Sequence, residues 1–143
     1  MFIDSHCHLN YAPLNEDLGS LRSAMAQAHV DKALVISTTL ETFDDVHQLA
    51  MSHDNFWCTV GVHPDEEGAR DPSVEELVSL AARPRVVGIG ETGLDYYRLN
   101  GRSVDDMAWQ QEDPALQQKA ELLAPGPYDP QHVCDALHVA APL

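Results

Sequence analysis

A chain of 143 residues with 44% hydrophobic side chains is one domain's worth of sequence, with enough apolar surface to build a core. Eight Lys and Arg against 23 Asp and Glu give a net charge of −15, which excludes a broad basic face for gripping nucleic acid; a phosphate-bearing substrate would need bound cations to supply positive potential locally. No apolar run approaches the ~18 residues of a membrane helix, no secretory leader pattern opens the chain, and Cys7, Cys58 and Cys134 lack disulfide-framework spacing, which together predict a reducing, cytoplasmic setting.

The first element lies in "MFIDSHCHL", where Phe2 and Ile3 predict a short buried strand. Alternation along a strand puts His6 and His8 on one face and Cys7 on the other, where it packs. Two neutral imidazoles side by side can reach one metal ion at about 2.1 Å each. The same pair reads equally as two polar residues at a strand end. Asp4, just before them, is placed to brace the strand end.

Leu18, Leu21, Met25 and Ala28 follow helical spacing and predict a helix over about 15–29. "ALVIS" at 33–37 is the near-continuous apolar run of a strand covered on both faces. Phe43, Val46, Leu49 and Ala50 mark a second helix, and "FWCTVGV" at 56–62 a third strand. Ser73 with Glu76 forms a capping-box signature ahead of Val74, Leu77, Val78 and Ala81, a third helix. "RVVGIGE" at 85–91 is the fourth strand. The order β-α-β-α-β-α-β implies an α/β fold with parallel strands and right-handed crossovers.

Residues able to bind metal or move protons fall at one kind of place. His6 and His8 close the first strand, His63 follows the third, and Glu91 closes the fourth. In parallel α/β folds the carboxyl ends of the strands share one rim, so these four side chains are expected together. Beyond about residue 105 the chain becomes rich in Pro and Ala. The pattern allows a helix over about 107–123, interrupted at Pro114, and Pro125, Pro127 and Pro130 then argue against any strand. His132, Cys134 and His138 lie there without a scaffold and are assigned no role.

Three segments, "DSHCHL" at 4–9, "VGVHPDE" at 60–66 and "VGIGETGLDYYR" at 87–98, together resemble the TatD family of metal-dependent deoxyribonucleases, within the amidohydrolase-like barrels. The resemblance covers residues 1–111 and implies a partial TIM-type (β/α) barrel of about four βα units, with 112–143 as an irregular tail. It implies His6 and His8 as the histidine pair on the first metal, and Glu91 as the carboxylate bridging two divalent cations (magnesium, manganese or zinc). It implies His63 as the histidine beside the substrate phosphate, with Glu91 and His63 the catalytic pair. The residue-level alternative for His63 is a loop histidine fixed by Pro64. Asp95 lies in the family's G-L-D-Y motif as an outer partner that orients the loop or a ligand. Tyr96 and Tyr97 read as core or rim packing rather than platforms for bases. The implied reaction is hydrolytic removal of nucleotides from DNA ends in the 3′-5′ direction. Two cations serve such chemistry by activating water and stabilising charge on phosphate oxygens.

Eight-stranded barrels need about 250 residues, and no segment here matches the later-strand histidines and aspartate of the family. The change in character after Gln111 leads us to expect a shift of reading frame there, leaving a truncated chain; translation of the downstream DNA in the other frames tests it. Four strands leave an open sheet edge, which predicts association with a second copy. The alternative to a hydrolase is therefore an inactive fragment that only self-associates or binds a partner through that edge. Other barrels opening with H-x-H hydrolyse amides or phosphomonoesters, but "GETGLDYYR" with Glu91 favours the nuclease-like branch.

Overall fold

The computed structural model describes residues 1–66, 68–97, 99 and 101–112. In chain order these form β1 (Phe2–Cys7), α1 (Leu18–Gln27), β2 (Val30–Val35), α2 (Phe43–Ser52), β3 (Phe56–Val60), α3 (Val74–Ala81) and β4 (Val86–Ile89), followed by a 3₁₀ segment at Asp105–Glu112. The strands pair in parallel in the order β1-β2-β3-β4, so each helix is a crossover between neighbouring strands. This is the predicted α/β alternation, four parallel strands joined by three crossover helices. The expected tail at 112–143, with His132, Cys134 and His138, lies outside the described residues from 113 onward.

One layer of core holds the unit together. Ala33 and Val35 of β2 and Phe56, Cys58 and Val60 of β3 face Phe43, Val46 and Ala50 of α2 and Leu77 of α3, all buried. Alternation selects those strand positions and helical periodicity selects those of α2, so both patterns turn their apolar sides toward one layer. Ser73 caps α3 by accepting the Glu76 backbone N–H at 3.2 Å. The capping box is only half made, because the Glu76 carboxylate turns to Arg70 instead, taking two hydrogen bonds of 2.7 Å. A charge-assisted bidentate pair outcompetes a single bond to a backbone amide.

One expectation is corrected. Phe2 and Ile3 are not buried but 65% and 60% exposed, because β1 pairs only with β2 and nothing covers its other side among the described residues. The helix predicted from Leu18, Leu21, Met25 and Ala28 forms but buries none of its residues. Leu21 and Met25 reach the core only at its margin, and Ala28 becomes the exposed C-cap.

Candidate metal centre

The carboxyl ends of the four strands build a small polar floor before any charged group is placed. Ser37, just beyond β2, receives its neighbours through three hydrogen bonds. Its backbone N–H donates to Thr59 Oγ1 at 3.2 Å, and its hydroxyl reaches the Thr39 and Gly61 carbonyls at 3.1 and 3.3 Å. Thr59 in turn donates to the Gly90 carbonyl at 2.7 Å. The Gly90 N–H donates to Val60 O and the Glu91 N–H to Ser37 O, both at 2.9 Å. Glu91 is thus held by backbone bonds to β2 and β3 together, not by β4 alone.

Close approach makes this possible. A Cβ on Gly61 would stand 2.7 Å from the Gly90 carbonyl carbon and oxygen, so only glycine lets the two strand ends meet. Thr59 and Gly61 were not singled out by their chemistry. The available signal was a hydroxyl and a glycine in an otherwise apolar strand run.

The histidine pair arrives from β1. An extra residue between Asp4 and Cys7 bulges β1 against β2, and Asp4 Oδ1 accepts the His6 backbone N–H at 3.1 Å, bracing the end of the strand. Cys7 turns the other way. Its thiol donates to Leu34 O at 3.2 Å, and burial, with the nearby Asp4 charge second, pushes its pKa up to about 12. The rings of His6 and His8 meet edge-on at 5.2 Å. His8 Nδ1 lies 3.2 Å from the Ile36 carbonyl, a contact that only a protonated Nδ1 satisfies, which leaves the Nε2 lone pair free to bind.

That lone pair faces Glu91. His6 Nε2 and His8 Nε2 lie 3.6 and 3.8 Å from Glu91 Oε2, too far for hydrogen bonds. Ligand atoms of the three residues all lie within 4.8 Å of one another. Glu91 Oε2 is buried and has no hydrogen-bond partner among the described residues. A carboxylate oxygen withdrawn from water without a donor is costly unless a cation satisfies it. The donor set, two imidazoles and one carboxylate, suits a divalent transition metal or zinc.

His63 enters from the loop after β3 with its backbone N–H on Thr38 O at 2.8 Å. Its Nε2 stands 3.6 Å from Glu91 Oε1 and 3.5 Å from Asp95 Oδ2. The structure therefore brings all five site residues predicted from the sequence to one rim. Asp95 Oδ1 accepts the Tyr97 backbone N–H at 2.8 Å, so this carboxylate shapes its loop with one oxygen while facing His63 with the other. Tyr97 itself is 89% exposed and packs in no core, which corrects the packing reading at that position. Tyr11, which the sequence did not single out, joins the rim. Its hydroxyl bonds Thr38 Oγ1 at 2.7 Å and its ring tilts against His8 at 5.8 Å.

A family model described as TatD related DNase matches residues 3–122. The chain belongs to that family. Over 99 residues it is 40% identical to an uncharacterized metal-dependent hydrolase, YcfH, of Escherichia coli (strain K12), covering 66% of this chain and 37% of that protein. It is 32% identical over 96 residues to the 3′-5′ ssDNA/RNA exonuclease TatD of the same organism, with the same shares covered. The crystal structure of YjjV, a TatD homolog from Escherichia coli K12, superposes with a TM-score of 0.70 at 31% identity, covering 84% of this chain and 47% of that one. The chain spans between 37% and 47% of the length of these relatives. Its four parallel strands and alternating helices are thus of the barrel type expected from the three sequence segments. Among the described residues no helix is long and apolar enough to cross a membrane.

Proposed function

We propose that this chain carries the metal-binding rim of a phosphodiester hydrolase that removes nucleotides from the 3′ end of DNA. The observation that carries this reading is the buried, donorless Glu91 Oε2 with two imidazole nitrogens converging on it. The 32% identity to a relative named as an exonuclease on ssDNA and RNA supports the substrate class. Relatives named only as metal-dependent hydrolases support the reaction class alone.

His6, His8 and Glu91 are the residues that would hold a divalent cation (magnesium, manganese or zinc), with Glu91 shared by two cations in a full site. Such ions supply an activated water and stabilise charge on phosphate oxygens. Each side chain has its own task. Glu91, anchored through its backbone N–H to Ser37 O, keeps its carboxylate at a fixed height above the sheet end. His8, held by Ile36 O, presents Nε2 without needing to reorient. His63 points Nε2 at the same space and donates a hydrogen bond to a non-bridging phosphate oxygen, making it the substrate-binding partner of Glu91 in the catalytic pair. Asp95 keeps His63 and the loop at Tyr97 in register. Concentrating positive charge in bound ions reconciles a phosphate substrate with a net charge of −15. Free thiols at Cys7 and Cys58 accord with a cytoplasmic setting.

A second reading has its own observation. Met1, Phe2, Ile3 and Val87 are large apolar residues left exposed on β1, β4 and the adjoining N-terminus, as expected of a surface that a second copy covers. On that reading the chain self-associates and does no chemistry. The deciding experiment measures bound manganese or zinc per chain on the species eluting from size exclusion, followed by release of nucleotides from 3′-labelled single-stranded DNA. One or two ions per chain with metal-dependent release supports the hydrolase. A defined oligomer that binds no metal and releases nothing supports the second reading.

A further inference from the structure

We infer that Asp65 and Arg102 form a clasp that positions His63; this rests on reading His63 as the donor that faces the phosphate. His63 Nδ1 accepts the backbone N–H of Asp65 at 3.0 Å. A ring nitrogen that accepts cannot carry the proton, so in the neutral imidazole the proton sits on Nε2. That is the atom lying between Glu91 Oε1 and Asp95 Oδ2. Asp65 therefore decides, through its backbone, which face of His63 the site sees.

Arg102 holds Asp65 in place. Its Nη2 donates to Asp65 Oδ1 at 2.8 Å, and its Nε donates to the Leu99 carbonyl at 3.1 Å. One guanidinium thus ties the loop after β3 to the segment that follows Asp95. The planar fork suits this, because two donors in fixed geometry set an angle as well as a distance. Unlike Arg22–Asp54 and Arg83–Asp44, whose side chains are open to water, Arg102 and Asp65 are 23% and 11% exposed. Solvent screens such a pair far less. The segment needs this external support, since Gly93 and Gly101 on either side of it adopt positive φ of 132° and 85°. The clasp thereby fixes His63 relative to Asp95 and Glu91, which come from a different strand.

The test uses the whole chain and the variants Arg102→Ala, Arg102→Lys and Asp65→Asn, with Arg83→Ala as a control for losing an ion pair elsewhere. The His63 ring nitrogens are followed by long-range ¹H–¹⁵N NMR at constant pH, assigned with His63→Gln. Wild type and Arg83→Ala are expected to show a single tautomer with the proton on Nε2. Arg102→Ala and Asp65→Asn are expected to show averaged signals from two tautomers while retaining the native fold by circular dichroism, with Arg102→Lys in between. Where hydrolysis is measurable, kcat falls about 10- to 100-fold with KM changed less than about threefold, the pattern of a misplaced group. Absence of hydrolysis in wild type would sink the proposed function and leave the NMR result to judge the clasp. Folded Arg102→Ala or Asp65→Asn protein with wild-type His63 signals would overturn it. If Arg102→Ala does not fold, the near-isosteric Asp65→Asn decides alone.

Discussion

Replacing Gly61 with Ala tests the packing that delivers Glu91 to the rim. The added Cβ would lie 2.7 Å from the Gly90 carbonyl carbon and oxygen and 3.0 Å from its nitrogen. Ordinary contact begins near 3.4 Å, so backbone must yield by about 0.7 Å, and both partners are main chain with no rotamer to swing aside. Three hydrogen bonds anchor the displaced segment: Gly90 N–H to Val60 O, Glu91 N–H to Ser37 O, and Thr59 Oγ1 to Gly90 O. An overpacking cost of about 1–3 kcal/mol, the strain on these bonds included, puts the loss near 2 kcal/mol. For a unit of this size that lowers Tm by roughly 8 °C. Because the shift moves Glu91 relative to His6 and His8, manganese affinity should fall about 10- to 100-fold, as when a ligand loses its supports. Gly88→Ala on the neighbouring strand β4, where Gly88 pairs with Thr59, is the control: the new Cβ meets only Thr59 Cγ2 at 3.7 Å. It should lie within about 1 kcal/mol of wild type, on the stabilising side if the gain from a stiffer unfolded chain dominates. Thermal unfolding by circular dichroism and manganese binding by calorimetry read both effects. A Gly61→Ala protein melting within about 2 °C of wild type, with unchanged manganese affinity, would refute the reasoning.

Glu91→Gln keeps the shape of the side chain but removes its charge, and should weaken manganese or zinc binding by at least about 100-fold while leaving the circular dichroism spectrum unchanged; calorimetry decides, and retained affinity would remove Glu91 from the ligand set. The Cys7 and Cys58 thiols, pushed up to about 12 and about 11 chiefly by burial, should resist a disulfide reagent at pH 8 until the chain unfolds, and rapid labelling of folded protein would contradict their burial. Both folded values lie above the ordinary 9.0, so this contribution to stability is intact below about pH 9 and is lost as pH rises toward 11–12; chemical denaturation between pH 8 and 11 should show the decline, less a Cys58→Ala baseline. Tyr97→Ala should change stability by less than about 0.5 kcal/mol because the ring is solvated, whereas Phe43→Ala, which empties the centre of the core, should cost about 3–5 kcal/mol; urea unfolding of the two side by side checks the contrast.

Much of this molecule was legible in the linear chain because its signals are local. The β-α alternation follows from hydrophobic period, and period is a property of neighbours in sequence. His6 and His8 could be paired for the same reason, since two residues apart on a strand is a geometric statement. The rim could be anticipated too: parallel strands put their carboxyl ends together, so His63 and Glu91 had to arrive near the pair once the strands were recognised.

What tertiary structure decided is everything that depends on approach between distant segments. That Gly61 and Gly90 touch, that Ser37 and Thr59 carry the weight of Glu91, and that Arg102 reaches back across 37 residues to Asp65 cannot be read from spacing. Each is a contact between segments whose separation in sequence bears no relation to their separation in space. Exposure was misjudged at Phe2, Ile3 and Tyr97 for the same reason. An apolar or aromatic side chain states a preference for burial, but only the arrangement of neighbouring layers supplies something to be buried against.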